Sequence, residues 1–327
     1  MFKDAFILVT GGTGSWGKEL ILQLLKQNPK KVIVFSRNED RQVSMSREID
    51  DPRLRFLIGD IRDKEALSRA FRKIDYVFHL AALKHVPVCE ECPLEALKTN
   101  INGTQNVIDA AILNDVKKVI HVSTDKSVDP ANFYGFTKAI SEKLIIHANE
   151  STTTTKFICV RSGNVLGTNG SVLKLFIDQI INNKEITITD RKMTRFFLTL
   201  EDAIKLLMEA ATDGIGGEIF VLNMPSCRIT DLAEVLIKQF GKNVKVTEIG
   251  SRPGEKQFEL LLSQKEIEHA VIFKQDYFVI VPERFISGVK EQYIDCQPMN
   301  KSTYCSNNNL MNHVEILTLL KKSKSLK

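Results

Sequence analysis

What this chain lacks narrows its function first. No stretch of its 327 residues approaches the roughly 20 consecutive apolar residues that a bilayer-spanning helix needs. No membrane segment is therefore expected. The N-terminus, Met1-Phe2-Lys3-Asp4-Ala5-Phe6, runs straight into an apolar strand and a glycine turn with no small-residue cleavage site, which argues against a signal peptide. Six cysteines lie scattered, which suits a reducing, cytoplasmic setting rather than a disulfide framework. Cys89 and Cys92 are the only close pair, and with no second pair or histidine cluster beside them a zinc site is not expected. Basic charge is also thin. The formal net charge is +5, but Lys321, Lys322, Lys324 and Lys327 crowd the C-terminal end, and removing those four leaves +1. That is a solvated tail, not a stripe for nucleic acid.

What remains is 43% hydrophobic, enough for one large α/β domain and a smaller lobe. Short apolar runs at Phe6–Val9, Val32–Phe35, Leu54–Ile58, Tyr76–Leu80, Val119–Val122 and Phe157–Val160 alternate with amphipathic stretches. Strands apolar on both faces predict a doubly wound parallel sheet of Rossmann type. The beat breaks after Val160. Helices are expected over Val172–Ile181, Glu201–Thr212 and Ile229–Phe240, the last capped near Thr230 or Asp231, with strands at Ile186–Thr189 and Glu218–Leu222. The expected division is residues 1–163 plus about 200–223 for the cofactor domain. An α/β substrate-binding lobe would take about 164–199 and 224–300, and a C-terminal tail 301–327, of which the last seven residues, 321–327, are expected to fray.

Gly11-Gly12-Thr13-Gly14-Ser15-Trp16-Gly17 follows the first strand and opens a helix. Missing side chains there permit a tight turn and a close approach of a dinucleotide pyrophosphate to the helix N-terminus. Trp16, the only tryptophan, reads as packing beside this turn. The second strand ends in Ser36-Arg37, with Arg41 close behind, where NAD binders usually carry an acid. A serine and two arginines suit the 2′-phosphate of NADP better than the bare ribose of NAD. The alternative is that Glu39 or Asp40 turns inward. Asp60-Ile61 ends the third strand, where Asp60 would meet the adenine amino group or cap the next helix. Ala81, Ala82 and Thr99 complete the expected cofactor contacts.

The most telling stretch is 123–138. Tyr134 and Lys138, four apart on a helix, share one face. A lysine ammonium beside the phenol is expected to favour phenolate and make Tyr134 a base. Thr124 would hydrogen-bond the substrate oxygen. Asp125 and Lys126 add an acid and a second amine, which suggests more than one proton transfer. To act as an acid and a base together, the carboxyl would have to be raised and the amine lowered, which burial favours and their mutual attraction opposes. His79 and His121 lie in strands and read as packed core.

Together these residues resemble the extended short-chain dehydrogenase/reductase superfamily. Ala81-Ala82-Leu83-Lys84-His85-Val86-Pro87, Ser123-Thr124-Asp125-Lys126, Arg161-Ser162-Gly163-Asn164, Met193-Thr194-Arg195-Phe196 and Arg252-Pro253-Gly254-Glu255-Lys256 are similar to the UDP-N-acetylglucosamine 4,6-dehydratases. Within these they are most similar to the inverting type that starts pseudaminic acid synthesis. Residues 304–309 are more like the capsule-sugar dehydratase/epimerases. Ser162 departs from the usual tyrosine, and Trp16 stands where phenylalanine is common. The resemblance implies an NADP-dependent lyase acting on a UDP-sugar. It also implies substrate contacts from Lys84, Asn164, Arg195, Arg252 and Glu255, Lys84 touching the cofactor too, and a homo-oligomer. A 4-epimerase or reductase, which needs no Asp-Lys pair, is the alternative.

Overall fold

The computed structural model describes residues 1–168, 170–283, 288–300 and 302–326. Its centre is a ten-stranded sheet. Seven strands are parallel: β1 (Phe6–Thr10), β2 (Lys31–Ser36), β3 (Leu54–Ile58), β4 (Tyr76–His79), β5 (Lys118–Thr124), β6 (Lys156–Ser162) and Ile219–Leu222. Their spatial order is β3-β2-β1-β4-β5-β6, then Ile219–Leu222. The order reverses between β1 and β4, and the crevice beyond their carboxyl ends is where such sheets bind ligands.

Alternation along each strand supplies two cores. Leu8, Val77, Val119 and Phe157 bury one face, and Ile7, Val9, Ile120 and Ile158 the other. Helix α1 (Ser15–Leu25) packs Leu20, Ile21, Leu24 and Leu25 on the second face, because those positions recur at helical spacing. At its start Gly17 is obligatory: a Cβ there would lie 2.3 Å from the Gly12 carbonyl oxygen. Gly11 turns the chain at φ +69, a backbone conformation that side chains disfavour.

The expected second insertion is shorter than 224–300. Ala270–Phe273 and Tyr277–Ile280 form a hairpin that rejoins the main sheet antiparallel, Val279 opposite Phe220. Gln297–Pro298 adds a last short strand. These residues cover an edge that Ile219–Leu222 would otherwise expose. The tail also differs from expectation. His313–Lys322 is a helix capped by Asn312, and its Ile316 and Leu320 are buried in the lobe core with Leu173, Phe176 and Leu236. Lys327 lies outside the described residues. The helices Val172–Ile181 and Ile229–Phe240 have the expected bounds, although neither Thr230 nor Asp231 is the N-cap, which falls on Arg228.

Beneath the site Arg161 and Glu142 form a buried two-pronged ion pair, with N–O distances of 2.8 and 2.7 Å, and Glu266 adds a third contact at 2.7 Å. Arg161→Met strands two carboxylates in the interior. It should lower stability in urea unfolding by about 3–5 kcal/mol, and adding Glu142→Leu should restore part of that loss.

Candidate active site

A cleft of about 1180 Å³ runs from the glycine turn to the lobe. Local chemistry explains how its walls are held. Gly14 precedes α1 with no side-chain cap, and Gly14, Ser15 and Gly17 all border the cleft where the helix begins. A π-helical turn at Leu97–Asn102 places Asn100 so that its amide donates to Leu83 O and Thr137 Oγ1 (both 2.9 Å) and accepts from Leu83 N (2.8 Å). That fixes the 81–84 loop. Asn132 caps the helix Phe133–His147, accepting from Gly135 N at 2.8 Å, and donates to Gly254 O at 3.0 Å. One side chain thus ties the catalytic helix to the 252–256 loop.

Every residue expected to touch cofactor lines this cleft: Gly11, Thr13, Gly14, Ser15, Trp16, Gly17, Ser36, Arg37, Arg41, Asp60, Ile61, Ala81, Ala82, Lys84, Thr99, Tyr134 and Lys138. Trp16 also packs against both cores, so its expected packing role and its place in the wall coexist. Gln42, which sequence reasoning did not single out, orients Ser36 by donating to its hydroxyl at 2.9 Å. Glu39 and Asp40 do not turn inward; both are exposed in the first turn of the helix Glu39–Glu48. Asp60 caps no helix, since Asp63 takes that role. Burial pushes the Asp60 carboxyl up, but hydrogen bonds from Arg62 outweigh it and hold it below the usual range, with Arg37 3.8 Å away.

These features fit a dinucleotide. The crowding at Gly17 leaves no room for a side chain between turn and helix, and the buried Thr99 hydroxyl, without a protein partner, borders the cleft.

Of the substrate residues, Lys84, Asn164, Arg195, Arg252 and Glu255 line the lobe side. Arg195 is clamped by Thr194 O (2.7 Å) and Lys256 O (2.9 Å) and lies 3.8 Å from Glu255. Burial, with Lys174 nearby, lowers the Lys84 ammonium.

At the centre Thr124, Lys126 and Tyr134 meet, Thr124 Oγ1 donating to Asp125 Oδ1 at 2.9 Å and hydrogen-bonding the phenol. Asp125 is 1% exposed and stands behind Lys126, not in the cleft wall, so it reaches the cleft through its neighbours. Lys126 Nζ donates to Asp125 Oδ1 at 3.0 Å, and Asp125 Oδ2 has no partner. Burial pushes the Asp125 carboxyl up, as expected.

Two protonation expectations are overturned. Burial would lower Lys126, but Asp125 and Glu259 outweigh it and push the ammonium up. The sequence hid Glu259, whose Oε1 lies 3.3 Å from Lys126 Nζ. Likewise the Tyr134 phenol is pushed up to about 12 by burial, with Lys126 opposing, rather than lowered by Lys138. Lys138 is occupied elsewhere: its Nζ sits 3.0 Å from His121 Nε2, and burial lowers it to about 8. His121 is core, as expected, yet it touches Lys138. The His79 ring lies tilted against that of His121, centres 5.1 Å apart, and burial lowers His79 to about 3.

Known proteins resemble this chain in sequence and fold. Residues 7–281 match the family model described as "Polysaccharide biosynthesis protein". A UDP-N-acetylglucosamine 4,6-dehydratase (inverting) of Campylobacter jejuni is 45% identical, covering 86% of this chain and 84% of its own. A UDP-glucose 4-epimerase of Rickettsia akari is 44% identical, covering 83% and 81%. The X-ray structure of Pen from Bacillus thuringiensis superposes with a TM-score of 0.93 at 41% identity, covering 100% of this chain and 99% of that one.

Proposed function

The chain belongs to the polysaccharide biosynthesis protein family, of extended short-chain dehydrogenase/reductase type, and on that footing we propose that it is an NADP-dependent nucleotide-sugar 4,6-dehydratase. Its substrate is UDP-N-acetylglucosamine and its product a UDP-4-keto-6-deoxy-N-acetylhexosamine, inverted at C5. One observation carries this reading: a buried carboxylate and an ammonium pair at 3.0 Å beside the Tyr134 phenol. A simple 4-epimerase uses Thr124, Tyr134 and Lys138 but leaves that pair without a task.

A nicotinamide dinucleotide, its pyrophosphate held by the glycine turn, would supply the oxidation at C4 and the matching reduction at C6, with no net consumption. The chain's residues handle the protons. Tyr134 takes the proton of the 4-hydroxyl, and Thr124 holds that oxygen. The resulting ketone acidifies C5, whose proton goes to the Lys126 amine. The C6 hydroxyl leaves as water with a proton that Asp125 passes through the Thr124 hydroxyl bonded to it at 2.9 Å, Thr124 taking the Asp125 proton as it gives up its own. In the structure the pair is an ion pair. One proton shift from Lys126 Nζ to Asp125 Oδ1 makes the neutral amine and neutral acid together, and the pair titrates as one unit.

Incubation with UDP-N-acetylglucosamine and no added reduced cofactor should yield the 4-keto-6-deoxy sugar; a product set of C4 epimers alone would defeat the reading. NADP rather than NAD is supported by Ser36, Arg37 and Arg41 in the cleft wall, with Glu39 and Asp40 outside it. Arg37→Ala with Arg41→Ala should weaken NADP binding by about ten- to a hundredfold and NAD binding far less, measured by fluorescence titration. Self-association is supported by Phe136 and Ile140, exposed one turn apart on the catalytic helix.

A further inference from the structure

We propose that Glu259, outside the expected catalytic set, is a positioning residue that holds the Lys126 amine at the cleft and sets how readily it gives up its proton. The inference rests on the dehydratase reading above.

Glu259 is 2% exposed, yet it borders the cleft. Its Oε1 lies 3.3 Å from Lys126 Nζ and 3.8 Å from Arg195 Nε, and its Oε2 lies 3.2 Å from Lys256 Nζ. Lys256 in turn donates to Val128 O (2.9 Å) and Asp129 O (3.2 Å), in the loop that follows Lys126. The C-terminal segment fixes the backbone that carries this side chain. Glu259 N donates to Ser306 Oγ at 3.0 Å, and that hydroxyl donates to Thr194 O at 3.1 Å. Tyr304–Cys305 pairs antiparallel with Leu260–Leu262. Three distant parts of the chain thus converge on one acidic side chain against the catalytic amine.

The surrounding charges decide what it does. Lys126 faces Asp125 and Glu259, with Arg195 and the Tyr134 phenol alongside. Glu259 faces Lys126, Lys256 and Arg195, with the Cys305 thiol nearby and Glu255 across Arg195. The reactive form of the pair arises when the Lys126 N–H bond breaks and an O–H bond forms on Asp125, with no change in net charge. A carboxylate at 3.3 Å stabilises the ammonium and opposes that shift; it also pushes the Asp125 carboxyl up, which favours the shift, but its direct contact is with Lys126 and the restraint dominates. Glu259 therefore restrains Lys126 while aiming it, and the cations Lys256 and Arg195 moderate the restraint.

The test uses two charge-changing variants of the full chain. Glu259→Gln keeps the shape and an acceptor but removes the charge. Lys256→Met removes a cation and leaves the carboxylate to act on Lys126 more strongly. The readout is the pH dependence of deuterium uptake at C5 from deuterated water in a single turnover, compared with C4 oxidation followed by nicotinamide absorbance in the same variant. Thermal melts check folding. With Glu259→Gln the midpoint of C5 exchange should move to lower pH, and with Lys256→Met to higher pH. A midpoint displaced by one pH unit changes the rate about tenfold on its acid side. Unshifted midpoints overturn the proposal, as does an equal slowing of C4 oxidation and C5 exchange at every pH, the mark of a merely structural residue. Should Glu259→Gln fail to fold, the Lys256→Met midpoint decides by the same criterion. A parent protein that makes no 4-keto-6-deoxy sugar defeats the dehydratase reading and this inference with it. A parent that makes the sugar while the variants stay unshifted removes Glu259 alone.

Discussion

Asp125→Asn should reduce formation of the 4-keto-6-deoxy sugar by about 10²–10⁴-fold while C4 oxidation stays measurable. The substitution is isosteric, so the Thr124 hydroxyl and the Lys126 ammonium keep a neighbour of the same shape. What disappears is the group that takes the Lys126 proton and gives one, through Thr124, to the leaving hydroxyl. Asp125 is buried and burial pushes its carboxyl up, which makes it the group that accepts the Lys126 proton when the pair neutralises. A burst of nicotinamide reduction without dehydrated product is the expected signature, read by stopped-flow absorbance and product NMR. An Asp125→Asn enzyme that turns over normally would instead favour the epimerase reading.

Tyr134→Phe should act one step earlier and stop everything downstream. Removing the phenol takes away the base for the 4-hydroxyl, so C4 oxidation should fall by about 10²–10⁴-fold. C5 exchange should fall with it, because C5 is acidic only once C4 is a ketone. The two variants are thus separable: one retains the nicotinamide signal and the other does not. The pH dependence has a definite sign. With the phenol pushed up to about 12, its base form is scarce at neutral pH, so C4 oxidation in the parent should rise as pH rises through the neutral range. A flat profile there would mean that substrate and cofactor bring Tyr134 back toward the low value that a contact with Lys138 would produce.

These predictions draw on features of unequal legibility. The glycine turn, the strand-end Ala81-Ala82 and the Tyr134/Lys138 pair were readable because their geometry is local: a strand, a turn, one helical repeat. The parallel sheet was readable because both faces of β1, β5 and β6 are apolar. The hairpin Ala270–Ile280 was not, since nothing in its own residues says which edge it will cover. The helix His313–Lys322 was missed for the same reason: its apolar stripe of Ile316 and Leu320 needs the lobe core to give it meaning.

Protonation was the least legible property. The pair Asp125-Lys126 was found by adjacency, and burial did raise the acid. The amine went the other way because Glu259, far along the chain, comes within 3.3 Å of it. Tyr134 departed from expectation because Lys138, its neighbour by helical spacing, points to His121 at 3.0 Å. Spacing tells which side chains share a face. It does not tell which of several partners a buried cation will choose. Glu259 did leave a faint signal, an acid three residues after Lys256 in the Arg252–Lys256 motif, but only the tertiary contact makes it part of the site.

The most direct measurement is NMR of the product formed from UDP-N-acetylglucosamine in deuterated water. The account predicts a C6 methyl group, deuterium at C5 and inverted ring stereochemistry there, all in one molecule and without added reductant. A sugar that keeps its C6 hydroxyl and its C5 proton would contradict it, since the Asp125–Lys126 pair would then have done nothing.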